Sequence, residues 1–320
     1  MRAAMLLSTL LAGTAWAGGV ALPSELLVDG PMATRRSATA ADLVLLYGGE
    51  QRGSLETCGC PHRPRGSYAR VETVRATLAG AGEPVVLVNA GYAFDDPTGF
   101  DGAVRPDVAA GNGWVARGVL AGRWDAVNVG TFDAAALATL DPAVREGLPL
   151  VSANLPGPGV RPWVVVERSG VKVGITGVSG DVPTLGDRAA YPRRTDKAAV
   201  EVVAELAGQV DVVVLLAWRA PELAELIARK VDVDVIVDAD THREQLPAEP
   251  VGRALRVASH TQTMRLGELR MDLEAGAIVG GVDRQIDLDP TLGDDPGVLR
   301  LQEEARAALD RLQAGLYATP

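Results

Sequence analysis

The stretch LVLLYGGEQRG, Leu43 to Gly53, decides the fold of this chain. An apolar run too short for a helix stops at Gly48-Gly49, a flexible turn, and polar residues follow at once. Apolar runs of four to eight residues bounded by turn signals read as strands. The pattern returns in VVLVNAGYAFD (Val85 to Asp95), WDAVNVGTFD (Trp124 to Asp133), VDVVVLLAWR (Val210 to Arg219) and VDVDVIVDADTH (Val231 to His242). Each is a hydrophobic strand that ends in a short loop.

Helical spacing fills the intervals. Val71, Val74 and Leu78 mark a helix over Ser67 to Ala79, before the strand Val85 to Asn89. Further helices are expected over Gly111 to Gly122, Phe132 to Leu140, Asp196 to Ala207 and Pro221 to Arg229. Strands are expected at Ala126 to Val129, Leu150 to Ala153, Val212 to Leu216 and Val233 to Val237. Trp163 to Glu167 and Lys172 to Gly177 form a hairpin through Ser169-Gly170. Val251 to Ala258, Met264 to Leu273 and Ala277 to Asp287 read as antiparallel strands. A final amphipathic helix, Gln302 to Leu312, carries Leu301, Ala305, Leu309 and Leu312 on one face. Alternating β and α elements followed by a run of strands predict a mixed α/β sandwich.

With 320 residues, 47% hydrophobic and 22% charged, the chain can bury a large core in one α/β domain or two smaller ones. A net charge of −10 argues against nucleic acid and anionic membrane surfaces as partners, since both call for a basic face. That leaves a small molecule or a protein. The first residues read as a secretory signal: Arg2, an apolar run over Ala3 to Ala12, and the small-x-small site Ala15-Trp16-Ala17. Cleavage after Ala17 places the mature protein in the periplasm or outside the cell, without a membrane anchor. Residues 18–40 read as a mobile leader, 41–290 as the folded domain, and 291–320 as a C-terminal helix and tail.

In their order, these elements resemble the catalytic domain of the bacterial periplasmic 5′-nucleotidase family, within the metallophosphoesterase superfamily. RGSYARV (Arg65 to Val71) is similar to the family's Gly-Gly-x-Ala-Arg helix start, and LPLVSANL (Leu148 to Leu155) to its strand ending in Ser-Ala-Asn. VKVGITGV (Val171 to Val178) and MRLGELRMDL (Met264 to Leu273) resemble later strands. The resemblance implies a sandwich of two mixed β-sheets flanked by helices, with a dimetal site at the strand ends that polarises a phosphoryl group and activates a bridging water.

Residue by residue, that site is altered. The family's Asp-x-His becomes Glu50-Gln51-Arg52, its Asp-x-Gly-Asp becomes Asn89-Ala90-Gly91-Tyr92, and its Gly-Asn-His-Glu becomes Gly130-Thr131-Phe132-Asp133. Trp218 stands where a His is expected, and Gly-His-x-His becomes Ala239-Asp240-Thr241-His242. Glu50, Asp240 and His242 form a vestigial ligand set that could hold a single divalent ion (Mn, Zn or Mg) weakly; His242 reads equally well as a buried, hydrogen-bonded histidine. The resemblance therefore implies a catalytically degenerate protein in a binding or accessory role. A hydrolase with a reduced metal site is the alternative. Tyr92, Phe132 and Trp218 fill the former metal cavity or line an aromatic ligand pocket.

Both cysteines lie in Cys58-Gly59-Cys60-Pro61-His62. This cluster suits a local disulfide or plain loop staple in an oxidising compartment, or a soft-metal or thiol-exchange site. It is expected beside the altered pocket. His260 reads as a surface polar residue. Asp232, Asp234, Asp238 and Asp240 read as a strand with one solvated edge or end, with only the last two near the site. No Gly-x-Ser-x-Gly elbow, P-loop or dinucleotide fingerprint is present.

Overall fold

The computed structural model describes residues 41–99, 101–181, 193–240 and 248–316. Two six-stranded sheets face each other. The first runs in the order β12 (Ala277–Asp287), β11 (Arg265–Glu274), β1 (Leu43–Gly48), β2 (Val85–Asn89), β3 (Ala126–Asn128) and β4 (Leu150–Val151). The second is β5 (Val164–Arg168), β6 (Val171–Ser179), β7 (Val212–Trp218), β8 (Val235–Ala239), β10 (Ala254–Ala258) and β9 (Glu249–Val251). Strands β1 to β4 are mutually parallel, as are β6, β7, β8 and β10, and antiparallel strands complete both sheets.

Strand periodicity of two sorts the apolar residues into layers. Leu43, Leu45 and Tyr47 point between the sheets, where they meet Val86, Val88, Ile175, Val214, Leu216 and Trp218. Val44 and Leu46 point the other way, under α1 (Tyr68–Gly80), α2 (Pro106–Ala121) and α7 (Pro296–Leu316). On the far face of the second sheet, α5 (Asp196–Ala207) and α6 (Pro221–Ala228) cover Val213, Leu215 and Ile236. The result is a four-layer αββα sandwich, as the α/β reading predicts.

Local chemistry sets the element boundaries. Ser67 caps α1 by accepting the Ala69 N–H at 3.1 Å, a bond worth about 1 kcal/mol. Helix α2 begins at Pro106 rather than near Gly111, because proline is favoured in the first helical turn. Helix α7 begins at Pro296, not Gln302: Asp295 Oδ1 accepts the N–H groups of Gly297 and Val298 at 2.9 Å each. Its buried face includes Val298, Gln302 and Ala305, and Gln302 donates to Ser67 Oγ at 3.0 Å. α3 (Thr131–Leu137) and α4 (Pro142–Gly147) complete the helices.

One topological expectation is corrected. Val251 to Ala258 is not a single antiparallel strand. Gly252, with φ of 63°, turns the chain between β9 and β10, and β10 then runs parallel to β8. The aspartates around β8 are solvated at the ends of the run and not along an edge. The strand is buried along its whole length, Asp234 accepts the Val213 N–H at 2.9 Å, Asp232 before it is exposed and Asp240 after it is half-buried.

Candidate functional site

The parallel strands of both sheets end at one edge, and the loops there are zipped together. Glu50 N–H donates to Gly91 O at 2.8 Å, Arg52 N–H to Tyr92 O at 3.0 Å, and Gln262 N–H to Glu50 O at 2.9 Å. These contacts hold a cluster of non-glycine residues in the left-handed region: Glu50, Arg52, Tyr92, Arg219, Gln262 and Thr263, with φ of 54°, 55°, 60°, 49°, 51° and 42°. Each such residue costs on the order of 1–3 kcal/mol and persists only where its surroundings fix it.

Glu50 is buried at the bottom of this edge. Its Oε2 accepts from Arg52 at 2.7 Å and from Thr261 Oγ1 at 3.4 Å, and its Oε1 accepts from Trp218 Nε1 at 3.4 Å. The two left-handed residues on either side of Gln51 bend the chain back, so the Glu50 and Arg52 side chains meet. Gln51 is buried too. It donates to Thr263 Oγ1 at 2.6 Å and accepts from Asn89 Nδ2.

The centre of the site is a ring cluster. Trp218 has no exposed surface and lies between two glycines. A Cβ on Gly91 would come within 2.7 Å of Trp218 Cβ, and one on Gly130 within 2.8 Å of Trp218 Cε3. Tyr92 and Phe132 are half-buried, 4.6 Å apart between centroids, and stand edge-on to Trp218 at 5.8 and 5.7 Å. Arg52 lies 5.8 Å over the Tyr92 ring and Arg219 5.7 Å over Trp218, each within cation–π range. Burial pushes the Tyr92 phenol up, so it remains protonated at neutral pH.

Two polar residues organise this edge without any clear sign in the sequence. Asp133 is fully buried, and its carboxylate accepts the N–H groups of Gly130 at 2.7 Å, Phe94 at 2.7 Å and Tyr92 at 2.9 Å. Burial pushes it up to about 7, against the downward pull of those donors. Its place three residues after the Gly130 N-cap is the one readable signal, since an acidic side chain at that helix position can accept the N-cap N–H. Arg193 donates to Thr131 Oγ1 and Ser179 O at 2.6 Å each, and pairs with Asp181 at 3.0 Å. Burial lowers its pKa despite the nearby Asp181.

Of the predicted ligands Glu50, Asp240 and His242, the first two lie among the described residues. Glu50 is at the site but carries Arg52. Asp240 follows β8 directly, and Ala239 beside it lies 3.2 Å from a Cβ placed on Gly49, next to Glu50. His242 lies outside the described residues. Among the described residues, no three His, Cys, Asp or Glu side chains gather closely enough to hold a metal ion, the set Cys58, Cys60 and His62 included. These donors, with Arg52 on the carboxylate and Trp218 in the centre, do not fit a pair of divalent cations.

His260 is buried, contrary to the surface reading. The segment after β10 folds back onto β1, where Thr263 Oγ1 donates to Gly49 O at 3.0 Å and covers it. Cys58 is a buried free thiol and Cys60 an exposed one. Their loop is a small hairpin closed by a bridge between Thr57 and Gly66. A Cβ on Gly66 would stand 3.0 Å from Gln262 O, so the base of the loop abuts the segment that contacts Glu50.

Two facing mixed sheets, outer helices and a strand-end site give this chain the metallophosphoesterase fold. The sulfate thiohydrolase SoxB of Thermus thermophilus superposes with a TM-score of 0.65 at 14% identity, over 86% of this chain and 62% of that one. A 5′-nucleotidase precursor, also from Thermus thermophilus, gives 0.63 at 21% identity, over 86% and 59%. The calcineurin-like phosphoesterase YfkN from Bacillus subtilis gives 0.59 at 15%, over 85% and 98%. The chain thus spans about three fifths of the SoxB and 5′-nucleotidase chains. No protein-family model and no curated protein matches the sequence. Among the described residues, no helix is long and apolar enough to cross a membrane.

Proposed function

We propose that this chain is an exported binding or accessory protein on a metallophosphoesterase scaffold, without phosphoester hydrolysis at its strand ends. The observation that carries this reading is the Arg52 guanidinium, 2.7 Å from the buried Glu50 carboxylate. A divalent cation at Glu50 would have to displace that guanidinium and stand beside another positive charge. Removing one partner of a fully buried ion pair costs about 3–5 kcal/mol, and the partial exposure of Arg52 lowers that figure here. The Trp218 ring adds a steric argument, because it lies against the loops after β2 and β3, from which the family's ligands would project.

The same geometry suits recognition. Tyr92 and Phe132 are partly open, and Arg52 and Arg219 rim them with positive charge. An apolar floor with a few convergent cations favours a small planar or anionic ligand. Export rests on the N-terminal signal pattern, which lies outside the described residues.

The test is metal analysis of the purified full chain, combined with hydrolysis of 4-nitrophenyl phosphate in added manganese. The reading predicts no stoichiometric metal and no turnover above that of Glu50→Gln. Stoichiometric metal, with turnover that disappears in Asp240→Ala and His242→Ala, would overturn it.

A further inference from the structure

The loop from Cys58 to Arg65 holds two free thiols in unequal surroundings. Cys58 is buried; its Sγ accepts the Arg65 N–H at 3.3 Å, and its thiol donates to Arg63 O at 3.9 Å. The Cys58 N–H donates to Arg65 O at 2.7 Å, so the sulfur is fixed against one side of the hairpin. Cys60 is exposed and separated from Cys58 by Gly59 alone, where an added Cβ would meet nothing within 4 Å. The Cys60 N–H turns back onto Cys58 O at 2.8 Å, which brings the two side chains to the same end of the loop. Arg65 is anchored to Asp287 at 3.4 Å, so positive charge stays beside Cys58.

We propose that Cys58 and Cys60 form a dithiol–disulfide pair that accepts electrons from an external dithiol, with exposed Cys60 as the sulfur attacked and Cys58 as the sulfur released. In the disulfide form, a substrate thiolate attacks Cys60 Sγ. The bond between Cys60 and Cys58 breaks, and Cys58 leaves as a thiolate facing the Arg65 N–H. The second substrate thiolate then attacks the first substrate sulfur and releases Cys60. Substrate dithiol becomes disulfide, the protein disulfide becomes dithiol, and two electrons pass to the protein. Of the two thiol protons, one ends on Cys60 and the other in solvent. A disulfide oxidant of higher potential restores the pair.

The electrostatics agree in direction. Burial raises the Cys58 thiol, but N–H donors from Arg65 and Cys60, the Cys60 thiol and the Arg65 charge outweigh it and leave Cys58 below its ordinary value. Cys60 is raised by its hydrogen bond to Cys58 and by the charge there. A low-pKa leaving thiol departs faster, and stabilising the reduced form makes the disulfide more oxidising. A single-residue spacer adds strain to the closed form in the same sense.

The test oxidises the full chain with oxidised glutathione and follows its reaction with dithiothreitol beside a disulfide-closed peptide of residues 55–64. The protein is expected to react at least about tenfold faster than the peptide, since only the fold supplies the polarised leaving sulfur. Equal rates would overturn the proposal, as would failure of Cys58 and Cys60 to form an intramolecular disulfide. With oxidised glutathione, Cys58→Ser is expected to form a mixed disulfide at Cys60, and Cys60→Ser to react about tenfold more slowly through its buried sulfur. The reverse order would contradict the assigned roles. The peptide comparison stands even where a variant folds poorly.

Discussion

The aromatic cluster and the cysteine loop lie along one edge of the molecule, yet they hold their reactive groups differently. At the cluster, Glu50 is taken up by Arg52, Trp218 and Thr261, while Asp133 is taken up by three backbone donors. Those carboxylates knit loops together. In the loop, the Cys58 sulfur receives donors that favour its charged form, and an open partner thiol stands two residues away. The difference teaches that buried acidic groups at a strand end are not evidence of catalysis. What matters is whether their hydrogen-bonding capacity is already spent.

The comparison can be broken most forcefully at Trp218. Trp218→Ala should cost about 3–5 kcal/mol in urea denaturation, the range for emptying a large buried aromatic site. A loss below about 1 kcal/mol would mean that the ring does not fill the edge, a loss in the range of ordinary surface changes. Asp133→Ala should rank next, at about 3 kcal/mol by the same assay, because it strands three N–H donors in the loops after β2 and β3.

Asp133 also predicts a pH dependence of known sign. Burial raises Asp133 and Asp283 from an ordinary 3.8 to about 7. Between those values the folded chain holds protons that the unfolded chain has lost, so stability falls as pH rises from about 4 to about 7. Urea midpoints across that range should show the decline, and Asp133→Asn should roughly halve it, leaving the part due to Asp283. A midpoint that rises instead would contradict the protonated state assigned to these groups.

Gly91→Ala sharpens the cluster side further. Its Cβ would meet Trp218 at 2.7 Å from a backbone with φ of 130°, and overpacking of this kind costs about 1–3 kcal/mol. Cys60→Ser is the smallest change. It should leave the denaturation midpoint where it was while abolishing the intramolecular disulfide, a dissociation of stability from chemistry that the cluster variants should never show.

The layers were legible because continuous apolar runs such as Leu43 to Tyr47 and Val212 to Trp218 admit few other readings. The direction of β10 was not, since it depends on Gly252 turning the chain and not on hydrophobicity. At the site, Tyr92, Phe132 and Trp218 stood out as aromatics among expected ligands, and they do meet. Arg193 and the burial of His260 were invisible, because both arise from segments brought over the edge by tertiary contacts. The pairing of Arg52 with Glu50 lay in the sequence as neighbours, but it needed the left-handed turn at both residues to become a contact.

We propose that the strand-end site holds its polar groups by internal pairing in place of a pair of metal ions. The most direct test is the hydrolysis of 4-nitrophenyl phosphate by the full chain in manganese. The account predicts a rate equal to that of Glu50→Gln and indistinguishable from buffer. A manganese-dependent rate that Asp240→Ala eliminates would contradict it.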